Sequence, residues 1–128
     1  MYSFRAYDVL REKLLNNEQL LSYIRNKKDY NPFEDKYLKI DMSRGFKDSD
    51  NNPIFVNDII QTEKSKKNNV LYIVDDQMKG LSFIVKKFKH KNEKNSIISN
   101  TAISLDKLIQ DGGRVVGNIH TSKDLLGN

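Results

Sequence analysis

Apolar residues in this chain come in short alternating runs cut by Asn-, Asp- and Gly-rich turns, and that spacing constrains the fold more than any other feature. Leu38, Ile40 and Met42 alternate with Lys39 and Asp41. Leu71 and Ile73 repeat the period, and so do Phe83 and Val85 beyond the turn cluster Asp75–Gly80. A period of two directs alternate side chains to one face, the mark of half-buried strands. The pattern predicts strands over Tyr2–Tyr7, Tyr37–Met42, Ile54–Glu63, Val70–Asp75, Leu81–His90, Ile97–Ile103 and Val115–Ile119. Turns at Asp48–Pro53 and Asn68-Asn69 supply the reversals. Many short strands with brief turns favour a small barrel, and 128 residues suffice for a single domain with one core. Ile40, Ile54, Ile59, Ile73, Phe83, Val115 and Ile119 are the expected core.

One stretch breaks the pattern. Between about 9 and 27, Leu10, Leu14, Leu21 and Ile24 cluster on a helical wheel, with Leu15 and Leu20 at its margin. This reads as an N-terminal helical insert, with Asn17 available to cap a second segment from Glu18. Six apolar positions cover more than the stripe needed to pack a helix on a sheet. Leu15 and Leu20 are therefore the expected protein-contact residues, open to a host or phage protein or to a second copy of the chain. Ser104 reads as the N-cap of a short helix, Leu105 to Gln110, stopped by Gly112-Gly113. Thr121 with Asp124 resembles a capping box for a terminal turn.

Three segments together resemble the YopX-like family of small phage and prophage proteins: Phe4-Arg5-Ala6-Tyr7-Asp8, the run Gly45-Phe46-Lys47-Asp48 leading to Asn57-Asp58-Ile59-Ile60, and Gly117-Asn118-Ile119 before a leucine-rich tail. The resemblance implies an SH3-like barrel, a phage or prophage setting and a host-cell cytoplasmic location. It implies further strand where residues 9–27 read as helix, and it implies no established activity.

Charge is unevenly placed. Residues 1–64 carry 11 basic and 11 acidic side chains, while residues 65–128 carry 11 and 6, which accounts for the net +5. The densest basic run contains Lys86, Lys87, Lys89 and Lys91 with Phe83 and Phe88 interleaved, the combination that single-strand binders use. Set against this, lysines outnumber arginines 17 to 5 and suit a solvated face. Cysteine is absent, which excludes disulfides, thiolate metal sites and cysteine nucleophiles. The first dozen residues hold Arg5, Asp8, Arg11 and Glu12, so no secretory apolar region is expected, and no apolar run approaches the roughly 20 residues of a membrane span.

Chemistry-bearing motifs fall short of their requirements. Asp48-x-Asp50-x-Asn52 begins like a calcium loop, yet Pro53 replaces the required glycine and Ile59 the closing glutamate. Asp58 has no identifiable catalytic partner and suits capping of backbone amides. Arg5 and Asp8 suit pairing with other polar groups at the sheet rim. His90 and His120 lack metal-ligand spacing, Gly112-Gly113 lacks a phosphate-loop frame, and no serine sits in G-x-S-x-G. The expectation is a cofactor-free, non-enzymatic accessory protein that binds a host or phage protein, modulating host or defence machinery. Nucleic-acid binding through Lys86, Lys87, Lys89 and Lys91 is the alternative.

Overall fold

Alternation in the first residues becomes β1 (Ser3–Asp8), the central strand of a three-stranded antiparallel sheet between β2 (Lys13–Leu15) and β3 (Leu38–Ser43). The computed structural model describes residues 3–67, 70–75, 84–89 and 98–122, with the backbone alone for 84–89 and 98–103. Two compact units form, Met1–Gly45 and Phe46–Asn128.

In the first unit Ala6 lies opposite both Leu15 and Ile40. The period of two therefore gathers Phe4, Ala6, Leu15, Leu38 and Ile40 on one face, and α1 (Asn17–Arg25) covers it through Leu20. Ala6, Leu15, Leu20 and Leu38 form the buried cluster, with Tyr23 and Ile24 packed against it. Each buried leucine contributes about 1.5–3 kcal/mol of apolar transfer. The helix begins with a capping box. Asn16 Oδ1 accepts from the Gln19 amide and Gln19 Oε1 from the Asn16 amide, both at 2.9 Å.

The insert expected over 9–27 is thus helical only from Asn17 to Arg25. The Asp8 carboxylate accepts the Leu10 and Arg11 amides, each at 3.1 Å, and Glu12 takes a left-handed φ of 53°. These hydrogen bonds close a turn, and residues 13–15 pair with β1 instead of continuing a helix.

The second unit holds β4 (Asp58–Gln61), β5 (Val70–Asp75), β6 (Ile84–Lys89), β7 (Ile98–Ser104) and β8 (Arg114–Asn118). They form an antiparallel sheet in the order β7-β6-β5-β4-β8. The short helix α2 (Glu63–Lys67) links β4 to β5, and α3 (Leu105–Gln110) follows β7 with Ser104 as its N-cap, as the sequence predicts. Ile54, Ile60, Val74, Leu105 and Leu108 make the main core of this unit, and Ile59 and Leu71 a second cluster. Of the expected core, Ile54 and Ile59 are fully buried, whereas Ile40, Ile73, Val115 and Ile119 are half-buried. Phe83 lies outside the described residues.

The strand expected over Ile54–Glu63 shortens to Asp58–Gln61. Asp58 accepts the Phe55 amide at 2.8 Å, and Asn57 adopts φ 73°, so residues 54–57 turn before the ladder begins. The protein is mainly β, with two antiparallel sheets and few helices. Among the described residues both sheets are open: no ladder joins β2 to β3 or β7 to β8. No helix among them is long and apolar enough to cross a membrane.

Candidate functional site

The turn at residues 9–12 that ends the expected helix also exposes the candidate site. Asp8 spends its carboxylate on the amides of Leu10 and Arg11, with the Arg11 guanidinium at 3.8 Å. Leu10 is left 71% exposed at the tip. The Val9 amide donates to the Tyr37 carbonyl at 2.9 Å, which brings Tyr37 beside the turn just before β3. Val9 and Tyr37 are both exposed, and Lys36 Nζ stands 4.9 Å from the Tyr37 ring centroid. One end of the three-stranded sheet thus presents Val9, Leu10 and Tyr37 within a net basic rim of exposed Arg11, Lys13 and Lys36, with exposed Glu12 among them. Leu21 on α1 and Phe33, which meets Phe4 edge-on at 6.1 Å, are exposed elsewhere on the same unit. Apolar surface left open at this density marks association surfaces more often than scattered single residues do.

Leu15 and Leu20 correct the expectation placed on them. They are 8% and 6% exposed and sit inside the cluster with Ala6 and Leu38. The helical wheel placed Leu15 on helix whether residues 9–27 formed one segment or two, and the β2 pairing instead turns Leu15 inward opposite Ala6. Leu10 and Leu21, counted in the same apolar set, are the members left outside. The signal that could have found Leu10 was Asp8 itself, an Asx-turn former followed by the charged pair Arg11-Glu12. Between β2 and α1 runs an open groove of about 500 Å³, lined by Arg11, Lys13, Leu15, Glu18, Gln19 and Tyr23 among others.

The basic run falls on β6. Lys86 pairs with Ile73, Lys87 with Tyr72 and Lys89 with Val70, which places position 86 on one face of the sheet and positions 87 and 89 on the other. Strand β6 is internal, between β5 and β7. Lys91, His90 and residues 81–83 lie outside the described residues. Basic residues that the sequence pattern did not single out are Lys64, Lys66 and Lys67, exposed on α2, which packs against β5.

The motif carboxylates hold the fold. Arg5 Nη2 meets buried Asp41 Oδ2 at 3.1 Å across the β1–β3 ladder, where the two stand directly opposite. Asp48 Oδ1 accepts the Asp50 and Asn52 amides at 2.9 and 2.8 Å, and Oδ2 accepts the Val115 amide at 2.9 Å, tying the turn-rich segment to β8. Burial pushes the Asp48 carboxyl up, but these amide donors outweigh it and hold the carboxyl below the usual aspartate range. Asn51 takes φ 67° within this turn, and the Arg114–Asp50 pair at 3.4 Å flanks it. The segment is an Asx-built turn, as its composition predicts. No cluster of three or more potential metal ligands occurs among the described residues. The His120 amide donates to Asn118 Oδ1 at 2.9 Å, in a turn directly after β8, and His120 is half-buried.

Comparison with known proteins agrees with this architecture. The chain is similar over 98% of its length to 98% of the chain in the crystal structure of protein EF1440 from Enterococcus faecalis, at 19% identity and a TM-score of 0.50. That likeness speaks for the fold alone. No curated protein matches. The family model described as YopX protein matches residues 3–127, across both sheets and all three motif segments. This chain belongs to the YopX protein family.

Proposed function

We propose that this protein is a non-enzymatic interaction module of phage or prophage origin, acting in the host cytoplasm on a host or phage protein. The observation that carries the reading is the exposed turn Val9–Leu10 beside Tyr37, an apolar tip on a turn whose Asp8 carboxylate is occupied in holding backbone. Its basic rim suits a partner that offers an apolar socket edged with carboxylates. Modulation of host or defence machinery fits a small binding protein of this kind. The SH3-like barrel implied by the family belongs to the same proposal, supported by a five-stranded sheet in which all ladders are antiparallel.

Leu10→Glu places a charge at an exposed position and leaves the fold intact, so it separates binding from stability. Nuclease-treated host lysate passed over wild type and Leu10→Glu should yield a protein retained by the first and lost by the second. Equal retention by both would remove the turn from the interface. A concentration series in size-exclusion chromatography distinguishes self-association at the same surface.

A second reading, nucleic-acid binding, gains support from α2. Lys64, Lys66 and Lys67 lie on the helix that packs beside β5, the strand paired with the β6 lysines. Retention that disappears with nuclease treatment would favour this reading over the first.

A further inference from the structure

Tyr23 and Tyr30 meet in the first unit as a tilted ring pair, at a centroid distance of 6.2 Å and an interplanar angle of 60°. Between them sits the ammonium of Lys27, with Nζ 3.6 Å from the Tyr23 centroid and 4.7 Å from the Tyr30 centroid. Tyr23 and Tyr30 also have anchors other than the lysine. Tyr23 is anchored on α1 against the buried cluster of Ala6, Leu15, Leu20 and Leu38. The Tyr30 hydroxyl donates to Asp35 Oδ2 at 2.5 Å, and Asp35 Oδ1 in turn accepts the Tyr37 amide at 2.9 Å. Two aromatic faces and a carboxylate therefore form a preorganised cation site, while its occupant is an exposed side chain just past the end of the helix.

We infer that Tyr23, Tyr30 and Asp35 form a cage for an alkylated ammonium group, with Lys27 as its resident, displaceable occupant. The preference for an alkylated cation follows from hydration. A primary ammonium is a compact, strongly hydrated charge that must give up water to enter between two rings. A trimethylammonium needs no acceptor and offers the rings a larger, weakly hydrated cation, the chemistry that aromatic cages select. Exposed cation–π interactions are weak, so Lys27 shields the cage from water without closing it to a better ligand.

The test follows the tyrosine ring signals by ¹³C-resolved NMR during titration with choline, with a short peptide bearing trimethyllysine, and with 3,3-dimethylbutanol as the uncharged isostere of choline. Choline or the peptide should shift the Tyr23 and Tyr30 rings, and the neutral isostere should not. A tighter response to the peptide identifies a protein side chain as the source, and a tighter response to choline a small molecule. Lys27→Ala and Lys27→Gln should both tighten binding about two- to fivefold, the competition expected from one exposed cation–π interaction. Tyr30→Ala should abolish it while core methyl signals stay in place. Equal shifts from the neutral isostere, no shift from either cation, or unchanged affinity in both Lys27 variants would overturn the inference.

Discussion

Asp48 shows how much of this fold rests on single side chains. Its carboxylate receives three backbone amides, one of them from β8. Those donors favour the charged form, so the folded-state pKa lies below the unfolded value. A depressed carboxylate contributes stability that is present above its unfolded pKa and is lost as the pH falls through the folded one. Asp48→Asn should therefore cost about 2–3 kcal/mol at neutral pH, with the deficit shrinking below about pH 4 as the wild-type carboxylate protonates. Urea denaturation across that pH window measures it. Arg5 and Asp41 make the parallel case in the first unit. Removing the guanidinium leaves a buried carboxylate without its main countercharge, and Arg5→Ala should cost about 3 kcal/mol. Replacing the pair together, Arg5→Met with Asp41→Leu, should cost much less than Arg5→Ala, read in the same denaturation series.

Among elements, β2 and α1 decide what the first unit can do. Leu20→Ala should cost about 2–5 kcal/mol, because Leu20 is the residue through which α1 enters the buried cluster. Leu15→Glu or Leu20→Glu should unfold the unit, whereas Leu10→Glu should leave its melting curve unchanged, and circular dichroism across the three variants reads both outcomes. At the other end, the turn from α3 into β8 admits no side chain at Gly113. A Cβ there would lie 2.7 Å from the Leu108 carbonyl oxygen, whose acceptance of the Gly113 amide at 2.8 Å closes the helix. Gly113→Ala should lower the melting temperature by several degrees, on the order of 1–3 kcal/mol of strain.

For the molecule as a whole, the question is whether a net charge of +5 amounts to a binding face. Position 86 lies on one face of an internal strand and positions 87 and 89 on the other, so the run is split between two sides of the sheet, and a phosphate backbone needs it on one. We expect no measurable duplex or single-strand binding at physiological salt by fluorescence anisotropy. If binding does occur, neutralising Lys86, Lys87, Lys89 and Lys91 should flatten its salt dependence by about 0.7–0.9 log units for each phosphate no longer neutralised.

The sequence by itself determined whatever depends on neighbours along the chain. The strand over Val70–Asp75, the Ser104 cap with its helix, the Asx-built turn at Asp48 and the absence of thiol chemistry were all legible, since period, capping and turn chemistry act within a few residues. The family was legible for the same reason, in three local motifs. Tertiary structure alone decided which leucines face outward. Leu10 and Leu15 share a plausible helical wheel, and only the captured amides at 10 and 11 and the pairing of Leu15 with Ala6 separate them. The cage around Lys27 arose likewise: Tyr23 and Tyr30 come from different segments, and the Tyr30–Asp35 hydrogen bond that fixes its wall appears only once the loop has folded back. Burial and cross-strand partners are long-range quantities, and a helical period read over a dozen residues cannot register a strand that pairs elsewhere.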